Sequence, residues 1–326
     1  MKFKRALLLS VLCMATMKML PDNYSLTNKE QQLILEEAEN WIDDMPDGLQ
    51  DRLSDAVKHA VHGFYSEISY FRNIADTTEI NKYKVKVNDI AGGSLGEINM
   101  RLYSASDNQK TPLLIYFHGG GWSVGSLETS DKFCRALASE GNIKVISVDY
   151  PLAPENPFPS AIKYCLDAVE YINGQCEKWN VESNKISLGG DGAGGNLAIE
   201  VYSRLPDNIK INSMVLYYPL LQTSGSLDPQ SKREYGRGYG FDSRLWEAFK
   251  EAYKGSDTRF PDSLPRVLLI SAGRDIIIEE EKTFSSSYDK LTYIQFDGAL
   301  HGFLSDGHQK TAFKKAVAIT DQFLTH

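Results

Sequence analysis

Six short apolar runs punctuate the chain between residues 112 and 296: PLLIYF, KVISVDY, KISLGG, SMVLYYP, RVLLIS and TYIQF. Stretches with helical spacing separate them. Strands covered on both faces read as continuous apolar runs rather than as alternating ones, and their alternation with helices calls for a mostly parallel sheet flanked by helices. The expected class is therefore α/β, with a central sheet whose strands share one direction. Ligands of such sheets bind beyond the carboxyl ends of the strands, so chemistry-bearing residues there count for most.

The flanking segments fit around this frame. Residues 26–71 look helical. LTNKEQQLILEEAENWIDD places Leu33, Ile34, Ala38 and Trp41 near one face, with Thr27 or Asn28 as the cap. LQDRLSDAVKHAVHGFYSEI repeats the pattern through Leu53, Val57, Ala60, Val61 and Phe64. YKVKVNDI and GEINMRLYSA then alternate as two strands ahead of the parallel series. Residues 221–256 interrupt the rhythm and read as a loop plus a helix inserted between two strands. The expected organisation is a signal peptide over 1–20, an N-terminal helical cap segment over 21–75, and the α/β domain over 76–326 with a cap insertion at 221–256.

Residues 1–20 combine Lys2, Lys4 and Arg5 with an apolar Ala6 to Leu12 stretch and small residues up to Ala15, a candidate cleavage position. Export, secreted or periplasmic, is the expectation. The alternative is an amphipathic N-terminal helix of a cytoplasmic protein. The apolar run is too short to span a bilayer. Lys and Arg number 35 against 43 Asp and Glu, a net charge of −8 with no basic stripe, which argues against a nucleic-acid partner. Cys13, Cys134, Cys165 and Cys176 form no metal-binding spacing and read as buried thiols, with a Cys165–Cys176 or Cys134–Cys165 disulfide left open. Oligomeric state is not legible.

Three loops carry the chemistry. In YFHGGGW, His118, Gly119, Gly120 and Gly121 follow directly on a strand, and a glycine run there lets backbone N–H groups face a cavity and hold an oxyanion. In KISLGGDGAGGNLAIEVYSRL a strand turns sharply into a helix that opens at Ala193. That is the setting in which G-x-S-x-G lifts a nucleophilic serine above the sheet, but the position belongs to Gly192, which has no side chain. Finally, Asp275 ends SAGRD and His301 opens HGF, each just past a late strand. The order nucleophile position, Asp, His is that of a hydrolytic triad in which the acid orients the base. GDGAGG, residues 190–195, also matches the dinucleotide pattern G-x-G-x-x-G, but only because of Gly192, and the next strand lacks the acid that would hold a ribose. No cofactor and no metal is expected.

Taken together, residues 82–326 resemble the hormone-sensitive lipase family of α/β-hydrolase esterases, which includes bacterial acetyl-esterase-type enzymes. HGGGW with GSLETSD, VDYPLAPENPFPSA at 148–161, GGDGAGGN, SAGRD and HGF follow the family's blocks in order and spacing. The segment GSDTRFPDSLPRVLL departs from it, being shorter and lacking the family's Ser-Pro-Leu. The resemblance implies an α/β-hydrolase fold with a small helical cap, and hydrolysis of carboxylic esters of short to medium acyl groups through an acyl-enzyme. It implies that Gly119, Gly120 and Ala193 give the oxyanion-hole N–H groups, that Asp275 and His301 pair, and that Gly192 stands where the family has serine. The small-molecule partner would then be an ester, and the chain should be nearly inactive, because no acyl-enzyme forms without a nucleophile. The alternative is a non-catalytic small-molecule receptor on the same frame.

Overall fold

The computed structural model describes residues 24–93, 98–223 and 227–326. The expected signal peptide and Cys13 lie outside the described residues. The chain begins with three helices, α1 (Asn28–Asp44), α2 (Leu49–Val61) and α3 (Ser66–Arg72). It continues through β1 (Lys86–Gly92), β2 (Ile98–Ser104), β3 (Thr111–Phe117), α4 (Leu127–Ser139), β4 (Lys144–Val148), α5 (Ser160–Gly174), β5 (Val181–Asp191), α6 (Ala193–Tyr202) and β6 (Ser213–Tyr217). After β6 come α7 (Pro229–Tyr235), α8 (Ser243–Tyr253), β7 (Arg266–Arg274), α9 (Ile278–Ser285), β8 (Leu291–Leu300) and α10 (Lys310–Thr325).

The strands form one eight-stranded sheet in the order β1-β2-β4-β3-β5-β6-β7-β8. Strand β2 runs antiparallel to both its neighbours, and all pairs from β4 to β8 are parallel. The apolar runs sort their side chains by parity onto two cores. Leu113, Ile115 and Phe117 face a cluster with Ile162, Cys165 and Val169 of α5 and Leu197 of α6. Leu114 and Tyr116 face the opposite cluster, with Phe133 of α4 and Ala316 of α10. Both faces of the sheet are thus covered, which is why the central strands show no polar alternation.

The N-terminal helices form as the spacing predicts, with two differences. Thr27 caps α1 through a reciprocal box with Glu30. Ile34 and Ala38 are buried, but Leu33, one step round the helix, is 37% exposed. Phe64 is 70% exposed because α2 ends at Val61 and Gly63, at φ +89°, breaks the helical period before it. The inserted segment holds two helices rather than one: Asp228 caps α7 with Pro229 at its first position, and Asp242 caps α8. Cys134, Cys165 and Cys176 are free buried thiols. A Cys134–Cys165 bridge is ruled out by the sheet, because the two sit in clusters on its opposite faces.

Candidate active site

Parallel strands end on one edge, and four of them deliver the chemistry-bearing residues there: His118 directly after β3, Gly192 after β5, Asp275 after β7 and His301 after β8. The β5–α6 turn is sharp. Gly192 adopts φ +51° and ψ −115°, a conformation disfavoured for L side chains, and its N–H donates to the carbonyl of Tyr217 on the neighbouring strand at 3.0 Å. The turn is held close to the sheet by Gly194, where a β-carbon would overlap the Phe117 carbonyl.

His301 Nδ1 lies 2.6 Å from Asp275 Oδ2. The other Asp275 oxygen accepts from the Ile277 N–H at 3.3 Å, and the carboxylate is fully buried. A carboxylate accepts only, so Nδ1 carries the proton and Nε2 is left as the basic atom. The imidazole is flanked by the rings of Phe241 and Tyr218, at centroid distances of 4.4 and 4.8 Å. Nε2 is aimed at Gly192: a β-carbon built there would lie 3.3 Å from it, and among the described residues, the two chain neighbours aside, only His301 comes within 4 Å of that point.

The glycine loop after β3 is tied to the elbow by Asp191. Its buried Oδ1 accepts from Tyr116 Oη at 2.7 Å and from the Gly119 N–H at 2.9 Å. Burial raises its pKa, while the hydrogen bonds from Tyr116 and Gly119 act the other way. This corrects the expectation at Gly119, whose N–H is spent on Asp191 and is not offered to the cavity. The N–H groups of Gly120, Gly121 and Ala193 have no protein acceptor among the described residues. The available set is therefore shifted one residue along the loop. His118 supports this arrangement. It stacks on Tyr150 at 4.3 Å, donates from Nδ1 to the Gly119 carbonyl at 2.8 Å, and burial pushes its pKa down to about 4. Asp191 and Tyr116 were missed in the sequence, although Asp191 sits inside the glycine motif. A buried acid beside a glycine loop was the available signal.

These groups open on a cavity of about 340 Å³ with mostly apolar walls. Trp41, Leu53 and Phe71 from the N-terminal helices face Phe241, Leu245 and Phe249 from the inserted segment across it. No Lys or Arg is among the described residues that line it. None of the described residues forms a cluster of His, Cys, Asp and Glu suited to a metal ion, and no described helix is long and apolar enough to cross a membrane.

A parallel sheet with a strand–elbow–helix at its centre, an Asp–His pair on the following strand ends and a glycine loop alongside defines an α/β hydrolase. Residues 114–305 match the family described as the alpha/beta hydrolase fold, and the chain belongs to it. It is 29% identical over 262 residues, 73% of this chain and 69% of the relative, to a carboxylic ester hydrolase, LipN, of Mycobacterium tuberculosis. It is 27% identical over 260 residues to an arylesterase of Saccharolobus solfataricus, covering 74% of this chain and 81% of that one. Among solved structures it resembles a hyperthermophilic esterase of Pyrobaculum calidifontis, with a TM-score of 0.66 and 26% identity over 92% of this chain and 98% of that one.

Proposed function

We propose that this chain carries the machinery of a carboxylic ester hydrolase for hydrophobic esters with short to medium acyl groups, silenced at Gly192. The observation that carries the reading is the aim of His301 Nε2 at the point where a side chain on residue 192 would begin, 3.3 Å away. With serine there, Nε2 would take the hydroxyl proton, Oγ would attack the ester carbonyl, and the N–H groups of Gly120, Gly121 and Ala193 would receive the oxyanion. His301 would return the proton to the leaving alcohol, and Asp275 would support the imidazolium between the two steps. The apolar walls, with no Lys or Arg among the described lining residues, suit uncharged acyl groups.

With glycine there, no acyl-enzyme forms. Loss of the nucleophile from such a triad costs about a million-fold in kcat, leaving roughly 10³–10⁴-fold over water from the oxyanion donors and binding. The test is hydrolysis of p-nitrophenyl acetate and butyrate by the chain beside its Gly192→Ser variant. Recovery by several orders of magnitude supports the reading. A folded serine variant with no gain overturns it and favours a small-molecule receptor, for which the apolar cavity between cap and sheet is the supporting observation.

A further inference from the structure

Lys82, Lys132, Lys310 and Lys314 are scattered along the chain, but the fold brings them to one cavity of about 300 Å³. It is separate from the cavity over the Asp275–His301 pair, and no residue lines both. Lys82 comes from the segment between α3 and β1, Lys132 from α4, and Lys310 and Lys314 from successive turns of α10. Glu79 is the one carboxylate among the described lining residues. The chain as a whole carries a net charge of −8, so a cavity of this sign is not a sample of its average surface. Tyr83, Phe303 and Phe313 give the same cavity an aromatic side.

Two of the lysines are already matched. Lys132 is buried, pairs with Asp76 and donates to the Thr78 hydroxyl at 3.3 Å. Gly307 makes room for that carboxylate, because a β-carbon there would overlap it. Lys82 pairs with Glu79 at 2.6 Å. The side chains of Lys310 and Lys314 have no ion-pair or hydrogen-bond partner among the described residues. They stand four residues apart on one helix face, where like charges repel. The helix end itself is closed, because Glu37 takes the Thr311 N–H and hydroxyl, each at 2.8 Å. What stays open is the lysine pair. Uncompensated charge of one sign in a cleft focuses the field there and draws in ions of the other sign. Lysine offers a compact point charge that suits phosphate, whereas a planar carboxylate is matched by the arginine fork, and no Arg is among the described lining residues.

We propose that this cavity binds a phosphate monoester carrying a ring-sized apolar group, with the phosphate between Lys310 and Lys314 and the apolar group against Phe303, Phe313 and Tyr83. The phosphate dianion brings two charges to two unpaired ammonium groups. Lys82 and Lys132 stay with their carboxylates and set the sign of the surrounding walls. The site makes and breaks no bond, and it does not depend on the esterase reading, so either can fail alone.

The experiment is calorimetric titration of the full chain with phenyl phosphate at about pH 8, where the phosphate is a dianion. Inorganic phosphate and benzyl alcohol are titrated in parallel. Saturable binding of phenyl phosphate is expected, at least about tenfold tighter than inorganic phosphate, because burying part of a ring is worth that much. Benzyl alcohol, which lacks the charge, should not bind. Affinity should fall as sodium chloride is raised, since the lysine pair is exposed. The double variant Lys310→Gln with Lys314→Gln should lose at least about tenfold in affinity with its Tm unchanged, because both side chains are exposed and unpaired. Lys163→Gln, an exposed lysine of α5 outside the cavity, controls for net charge and should bind as the unmodified chain does. No saturable binding up to about 5 mM overturns the proposal. So does binding that survives the double variant, that falls equally in Lys163→Gln, or that inorganic phosphate matches.

Discussion

His301 Nε2 points at Gly192, 3.3 Å from where a β-carbon would stand, while His301 Nδ1 is held 2.6 Å from Asp275. The base is thus oriented from behind toward a residue that offers it nothing to deprotonate. In a Gly192→Ser background the two dyad residues should behave as members of one unit. Adding His301→Ala should return p-nitrophenyl butyrate hydrolysis to within about tenfold of the glycine protein, because the serine alone is a weak nucleophile. Asp275→Asn should lower kcat by about 10⁴ through the wrong imidazole tautomer, with a small change in KM. Equal rates with and without His301 would mean that the restored activity does not pass through this pair.

The same serine should make the protein less stable. Gly192 sits at φ +51° and ψ −115°, outside the regions open to L side chains, and the Tyr217 carbonyl and the start of α6 hold it there. A non-glycine residue in such a conformation costs about 1–3 kcal/mol. Loss of glycine's unfolded-state freedom gives back about 0.4–1 kcal/mol. The net expectation is a Tm lower by a few degrees for a chain of this length, at about 2–4 °C per kcal/mol. A serine variant that melts higher than the glycine protein would show that the elbow is unstrained.

Asp191 joins the elbow to the glycine loop, and its loss should be felt at both. Asp191→Ala leaves Tyr116 Oη and the Gly119 N–H buried without their acceptor. An orphaned buried donor costs about 1–3 kcal/mol, so destabilisation of about 2–4 kcal/mol is expected in thermal melts. In the Gly192→Ser background the freed loop should shift the Gly120 and Gly121 amides, and a misplacement near 1 Å costs about 100-fold in kcat. KM should change little, because the apolar walls contributed by α2 and α8 are untouched. An Asp191→Ala enzyme with unchanged kcat would show that the loop is placed by His118 and Tyr150 alone.

The sheet edge was legible because four of the parallel strands end at a polar or glycine residue that has work to do there: His118, Gly192, Asp275 and His301. Local spacing decides that much. It did not decide which amide faces the cavity. Gly119 and Gly121 are both glycines, and only the long-range bond that the Gly119 N–H donates to Asp191 shows that the first is already engaged. The cap was legible as helices but not as a surface. Leu33 and Phe64 read as part of the apolar stripes, yet one lies off the buried face and the other beyond a glycine break. The walls supplied by Phe241 and Leu245 come from an insertion that meets α2 across the cavity, a contact between residues far apart in the chain that no periodicity encodes.

The acid-bearing strand end also predicts a pH dependence of stability. Asp275 is followed by α9, whose Glu280 and Glu281 lie near it. Burial, reinforced by the charge of Asp275, pushes the Glu280 carboxyl up to about 7, and the fully buried Glu281 well above its ordinary range. A carboxyl whose folded-state pKa is raised keeps a proton that the unfolded chain has already lost. The native state then binds more protons than the unfolded one between the ordinary value of 4.5 and about 7, and stability falls as pH rises through that window. The stabilisation is fully present below pH 4.5 and is gone above about 7. For Glu280, partly open to solvent, the change should be of order 2 kcal/mol. Glu280→Gln cannot ionise, so its Tm should decline less than that of the unmodified chain between pH 5 and 7.5, and the two curves should diverge toward the alkaline end with the variant higher. Parallel curves across that range would mean that Glu280 ionises at its ordinary pH, and that α9 imposes no such penalty beside Asp275.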